Sequence, residues 1–128
     1  MVFVFGSNEA GRHGAGAARV ALKSHGAIYG QGEGPQGNSY GIPTKDSDLQ
    51  VLSLVAIKRY IVRFQDYANR HPGQFFQVTR IGCGLAGYTN IQIAPMFLNS
   101  PSNCYFDEAW KPYLGNVNYW SLNENPSS

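Results

Sequence analysis

Two stretches of this chain carry residue types that bind anions through backbone rather than side chains. The first, GSNEAGRHGAGAA (residues 6–18), follows the apolar run VFVF; the second, GCGLAGYTN (82–90), follows FFQVTRI. Glycine has no Cβ, so a ligand can approach its amide closely, and a following helix N-terminus adds unpaired N–H groups and a dipole that favours negative charge. One such loop points to a phosphate, and two together to a diphosphate held between them. Tight helix–sheet packing with no ligand is the alternative for either loop. Neither is a standard nucleotide motif. Gly14 and Gly16 begin a G-x-G-x-x-G pattern, but Arg19 takes its last position, and G-x-x-x-x-G-K-[ST] occurs nowhere.

The side chains around these loops divide into ligand candidates and structural ones. Asn8 follows the first apolar run, where a carboxamide either bonds ribose hydroxyls or caps the turn. His13, inside the first loop, is the histidine placed to touch a ligand, whereas His25 and His71 stand at helix ends and read as structural. Thr44 and Lys45 directly follow an extended piece, so Lys45 is set to contact a phosphate, to act as a nucleophile, or simply to be solvated. Cys83, between two glycines, is a thiolate candidate without an obvious His partner, and a small residue packed under a loop is the plainer reading. Tyr88 stacks on a base or sugar, or packs beside its helix.

The elements that position these residues follow from periodicity and punctuation. Residues 2–5 read as a buried strand, 14–24 as an Ala-rich helix and 39–43 as extended, because Pro43 keeps Ile42 out of the helical region. Asp48 reads as the N-cap of a long helix ending near Asn69, with Leu54, Ile57, Ile61, Phe64 and Ala68 on its inner face. The segment FFQVTRIG reads as a strand, NIQIAPMFL as a short helix, DEAWKPYL as a weaker helical piece and VNYWSL as a terminal strand. The polar, Gly-rich segment GQGEGPQGNSYGIPTKD reads as a rim or lid ending in a strand. The order β-α-β-α-β-α-α-β predicts an α/β fold with a mainly parallel sheet and helices on its faces. In such a sheet ligands bind at the carboxyl ends of the strands, where both glycine loops fall.

Composition narrows the function classes. The chain has 128 residues, enough for one core; we expect one domain over 1–122 and a frayed tail over 123–128. Charged residues are 14% of the chain, below the usual quarter, and the net charge of +2 is too small to argue for nucleic acid or a membrane surface. Lys58, Arg59 and Arg63 form the one local basic cluster, at helical spacing, and read as a solvated face. Two unrelated cysteines, no signal-peptide pattern and no membrane-spanning run predict a reducing, cytoplasmic setting. Nothing calls for a metal or a cofactor, and the oligomeric state stays open.

Together these residues resemble a macro domain, the ADP-ribose-binding module, over nearly the whole chain. FVFGSN and HGAGAA resemble that family's strand–Asn–Gly-rich–helix element, YGIPTK its middle strand, and TRIGCGLAGY its second phosphate loop. The set is most similar to the terminal ADP-ribose protein glycohydrolase branch. The resemblance implies a three-layer α/β/α fold, and we expect it shortened at the N-terminus, without the strand that bears the family's adenine-reading Asp. It implies ADP-ribose, or a derivative of it on a modified macromolecule, as partner. Gly14, Ala15, Gly16 and Ala17 would form one backbone cradle, and Gly82, Cys83, Gly84, Leu85, Ala86, Gly87 and Tyr88 the other. Asn8 would face the distal ribose, and Lys45 matches the lysine that attacks the anomeric carbon. Two departures weigh against hydrolysis: Ala86 and Gly16 stand where hydrolytic relatives carry Asp. Binding is therefore the expectation. The alternative is a hydrolase of the distal ribose, removing an ADP-ribosyl link, an acyl group or a phosphate; Asp46 and Asp48 are the carboxylates available to replace a missing one.

Overall fold

The apolar alternation of VFVF builds the central strand and sends its side chains to both faces of a sheet. The computed structural model describes residues 1–121, and in it β1 covers Val2–Asn8. Phe3 and Phe5 pack with Ala18 and Ala21 of helix α1 (Gly16–Ser24) on one face. Val4 points the other way, into a larger core with Ile57, Ile61, Phe64 and Ala68 of α2 (Leu54–Arg70), all four fully buried. Burying a side chain of this size is worth about 1.5–3 kcal/mol, so these two clusters fix which helix covers which face.

The sheet has six strands among the described residues, in the order β2-β3-β1-β4-β5-β6. β3 (Ser39–Lys45) and β4 (Phe76–Val78) flank β1, both parallel to it; β5 (Cys104–Asp107) and β6 (Asn118–Trp120) continue the parallel run. β2 (Gly34–Gln36) alone runs antiparallel, on the outer edge of β3. It pairs with β3 only as far as Gly41, so Pro43 stands where the strand has just one sheet neighbour and its missing N–H costs little. The remaining helical pieces are short: α3 (Asn90–Ile93), a 3₁₀ turn over Ala94–Phe97, a second over Glu108–Trp110, and α4 (Lys111–Leu114). Phe97, Phe106 and Trp110 meet here with ring centroids 5.4–6.3 Å apart.

The expected α/β architecture with a mainly parallel sheet is present, with three corrections. The helix after β3 starts at Leu54 on a Ser53 cap, whose Oγ accepts from the Ala56 N–H at 3.2 Å. Asp46 Oδ1 instead accepts from the Asp48 and Gln50 amides at 2.9 Å each, and Leu49 takes a left-handed φ of 62°, so the helix cannot begin at Asp48. The segment CYFD is a strand, β5, although it adjoins a helical-looking stretch. The Gly-rich segment is no lid. Its Gly32 lies so close to β1 that a Cβ would meet the Asn8 carbonyl oxygen at 2.1 Å, and Gln36 is buried beneath it. Residue 122 and the expected tail, 123–128, lie outside the described residues. No helix among the described residues is long and apolar enough to cross a membrane.

Candidate functional site

Because β3, β1, β4 and β5 are parallel, their last residues share one edge, and the loops that follow β1 and β4 face each other across a cleft of about 670 Å³. Asn8, Gly14, Ala15, Gly16, Ala17, Thr44, Lys45, Gly82, Cys83, Gly84, Leu85 and Ala86 all line it. Residues chosen from two loops some seventy positions apart therefore converge. Gly87, Tyr88 and His13 do not line it.

The first loop is held from within. Asn8 Oδ1 accepts from the Arg12 N–H at 2.9 Å while Asn8 Nδ2 donates to the Arg12 carbonyl at 2.9 Å. The carboxamide thus mimics a strand partner and closes the turn. Of the two roles open to Asn8, capping is the one its bonds carry out, and 7% exposure leaves it little else. Beyond the turn, Ala15 stands at the N-cap of α1 in extended conformation and offers no side-chain bond. The N–H groups of Gly16, Ala17 and Ala18 have no partner among the described residues, and no acidic side chain sits in the first turn. This is an open helix start of nine residues, with the partial positive charge such an end carries.

The second loop works differently from the first. The helix it leads to, α3, has four residues, and its N-terminus is already closed by a capping box between Thr89 and Gln92. What this loop presents is a turn: Cys83 N–H donates to the Arg80 carbonyl at 3.1 Å and Gly87 N–H to Gly84 at 3.0 Å. The amides of Gly84, Leu85 and Ala86 between them have no partner among the described residues. A Cβ on Gly84 would meet nothing within 4 Å, so its bareness is not a packing requirement.

Charge in the cleft is mostly positive. Lys45, Arg12 and Arg80 line it against one carboxylate, Asp107. The Lys45 amine has no hydrogen bond or ion pair among the described residues. Thr44 is buried, its hydroxyl donating to the Ser7 carbonyl at 3.3 Å. Burial pushes the Cys83 thiol above its ordinary range, the opposing pull of Arg80 being smaller, and the Sγ donates to the Ile81 carbonyl at 3.5 Å. A protonated, packed thiol is no nucleophile. No group of three or more potential metal ligands converges among the described residues.

Two expected ligand contacts are corrected. His13 is 1% exposed: its ring sits edge-on to Phe5 with centroids 5.3 Å apart, and Nε2 is 3.2 Å from Gln36 Oε1. Pairing with Gln36 draws the imidazole under the loop and away from the cleft. Tyr88 packs against the core, its hydroxyl donating to the Leu52 carbonyl at 2.6 Å. Asp46 is occupied by its own turn and Asp48 lies outside the cleft. Conversely Arg12, Arg80, Leu49 and Asp107 enter the site unannounced. Arg12 lies in the first loop that the sequence singles out and Arg80 two residues before the second; Asp107 ends a strand that periodicity did not reveal. The sequence matches no family model, and comparison with curated proteins and with solved structures gives no match.

Proposed function

We propose that this cleft binds ADP-ribose or a close derivative, its diphosphate lying between the loop after β1 and the loop after β4. One observation carries the reading: two amide-presenting loops on adjacent central strands open onto a single cleft lined by three cations. The helix start supplies partial positive charge from one side and the Gly84–Leu85–Ala86 amides supply donors from the other, which suits a doubly charged diphosphate. The resemblance to macro domains supports the same ligand and the three-layer fold of that family.

Calorimetry and thermal shift with ADP-ribose test it. Saturation a hundredfold above Kd would stabilise the fold by about 2.7 kcal/mol. Gly84→Val, whose side chain the fold accommodates, should abolish that gain while leaving the unliganded stability intact. No heat and no stabilisation at millimolar ADP-ribose would sink the proposal.

A second reading, hydrolysis at the distal ribose, draws on the unpartnered Lys45 amine at the cleft wall. It lacks an adjacent acid or base, since Ala86 and Gly16 offer none. Turnover of ADP-ribosylated protein, acyl-ADP-ribose or ADP-ribose 1″-phosphate that disappears in Lys45→Ala would establish it; absence of turnover leaves binding as the activity.

A further inference from the structure

We infer that Asp107 recognises the vicinal diol of the ribose on the nucleoside side of the diphosphate, and so orients the ligand in the cleft. The inference rests on the ADP-ribose reading and goes beyond it by assigning the end of the cleft that no loop glycine reaches. Asp107 is the one carboxylate lining the cleft, and it ends β5. Its Oδ1 accepts from the Ala109 N–H at 2.9 Å, which fixes the side chain. The second oxygen has no partner among the described residues, where the single ion pair is Arg63 with Glu33, remote from the site. Arg80, on the neighbouring strand's loop, turns its guanidinium to Asn90 Oδ1 at 3.5 Å rather than to Asp107.

Strand order sets the distances. The two amide loops hang from β1 and β4, with β3 and Lys45 one strand beyond on one side, β5 and Asp107 one strand beyond on the other. Neighbouring strands are about 4.8 Å apart, and the register sets Asp107 level with Phe5 but Lys45 level with Asn8, about 10 Å further along. Asp107 thus stands about 7 Å across the sheet from the midline between the loops and about 17 Å from Lys45. That separation excludes Asp107 as a direct proton-transfer partner of Lys45. It does match the geometry of a ligand with one sugar on each side of a diphosphate. A sugar joined directly to the phosphate falls within this reach, whereas the base lies a full ring further out. A carboxylate repels the diphosphate and accepts from hydroxyls, and a vicinal diol offers two donors side by side to its free oxygen. Lys45 and Asp107 would then mark the two ends by opposite charge.

The test compares three ligands, ADP-ribose, its analogue lacking the 2′ and 3′ hydroxyls of the adenosine ribose, and inorganic pyrophosphate, on the full chain by calorimetry. Wild type should prefer ADP-ribose over the dideoxy analogue by about tenfold or more, the worth of hydrogen bonds to a charged acceptor. Asp107→Ser, which keeps an oxygen for the Ala109 amide, should erase that preference. Asp107→Asn should bind pyrophosphate more tightly than wild type, because a repulsive charge is gone, which reports the carboxylate's closeness to the diphosphate; pyrophosphate affinity unchanged by Asp107→Asn overturns that placement. Equal affinity of wild type for the two nucleotides overturns the assignment even if either variant fails to fold. So does a preference that survives in Asp107→Ser. Wild type that ignores ADP-ribose altogether overturns the ligand reading itself, and the two failures are thereby distinct.

Discussion

Leu85 of the second loop lies across the cleft against Gly16 of the first: a Cβ placed on Gly16 would meet Leu85 Cδ1 at 3.3 Å. Gly16 also holds a left-handed φ of 59°. Both facts bear on the position that the resemblance aligns with an Asp of hydrolytic macro domains. A side chain there would have to tolerate the backbone conformation and displace a leucine that bridges the two loops.

Gly16→Ala should therefore lose about 1–2 kcal/mol from the left-handed strain alone, measured by urea denaturation. Gly16→Asp should lose less than Gly16→Ala, since Asp tolerates the left-handed region better and its charge suits the start of α1, although it must still displace Leu85. Unchanged stability in both variants would show that the loop relaxes freely.

Removing the Asn8 carboxamide should open the first loop. Asn8→Ala leaves the Arg12 N–H and carbonyl without their partners, at about 1–3 kcal/mol. Asn8→Asp should be worse than its shape suggests, since a carboxylate oxygen would face the Arg12 carbonyl. Hydrogen exchange at the Arg12 amide reads this directly; protection equal to wild type in Asn8→Ala would refute it.

The buried His13 should carry a proton on Nε2. Gln36 Nε2 donates to the carbonyls of Gln31 and Gly34 at 3.1 and 3.3 Å, and Gln36 Oε1 accepts from the Ile28 amide at 2.8 Å. The oxygen therefore faces His13, whose Nε2 must donate, while Nδ1 is left buried without a partner. Nitrogen chemical shifts at neutral pH report the tautomer, and a proton on Nδ1 would contradict the network.

Acid should weaken the fold in part through His25. Its ring stacks on Phe3 with centroids 4.3 Å apart, and burial first, the Met1 ammonium second, lowers its pKa from 6.5. With the folded pKa below the unfolded one, the unfolded chain binds more protons between the two values, so stability rises with pH there. The contribution is fully present above 6.5 and is lost as pH falls through 6.5 to the folded value. His25→Phe should flatten this part of the Tm–pH profile while leaving the rest; an identical slope would remove His25 from the account.

Much of this architecture can be read in the sequence where burial imposes a period. The inner face of α2 was legible because Ile57, Ile61, Phe64 and Ala68 recur at helical spacing and nothing interrupts them. β1 and both glycine loops were legible for a similar reason: four apolar residues followed by bare backbone admit few structures. β2 was not legible, since GPQ has glycine and proline and owes its extended form to the edge of β3. CYFD was hidden by brevity, its pairing with β4 being tertiary information. That same gap concealed Asp107.

Within the site, backbone contributions were easier to foresee than side-chain ones. The bareness of Gly82 and Gly84 is a local property, visible residue by residue. Whether His13 faces outward or inward depends on Gln36, 23 positions away, and no local pattern encodes that pairing. The second loop's helix was over-read for the converse reason: Thr89 and Gln92 spell a capping box, so the dipole end that composition promised is already occupied.

The strand pairing of β1 has a consequence for how the molecule comes into being. β1 is bordered by strands 39–45 and 76–78, and both lie downstream in the chain. During synthesis β1 emerges before either neighbour exists, so its apolar side chains and the loop after it wait unpaired until most of the domain has followed. Contacts of such long sequence separation form slowly, because the chain entropy between them must be given up first. The cleft walls cannot be complete until β4 and its loop have been made, so ligand binding requires a chain synthesised at least through Ala86.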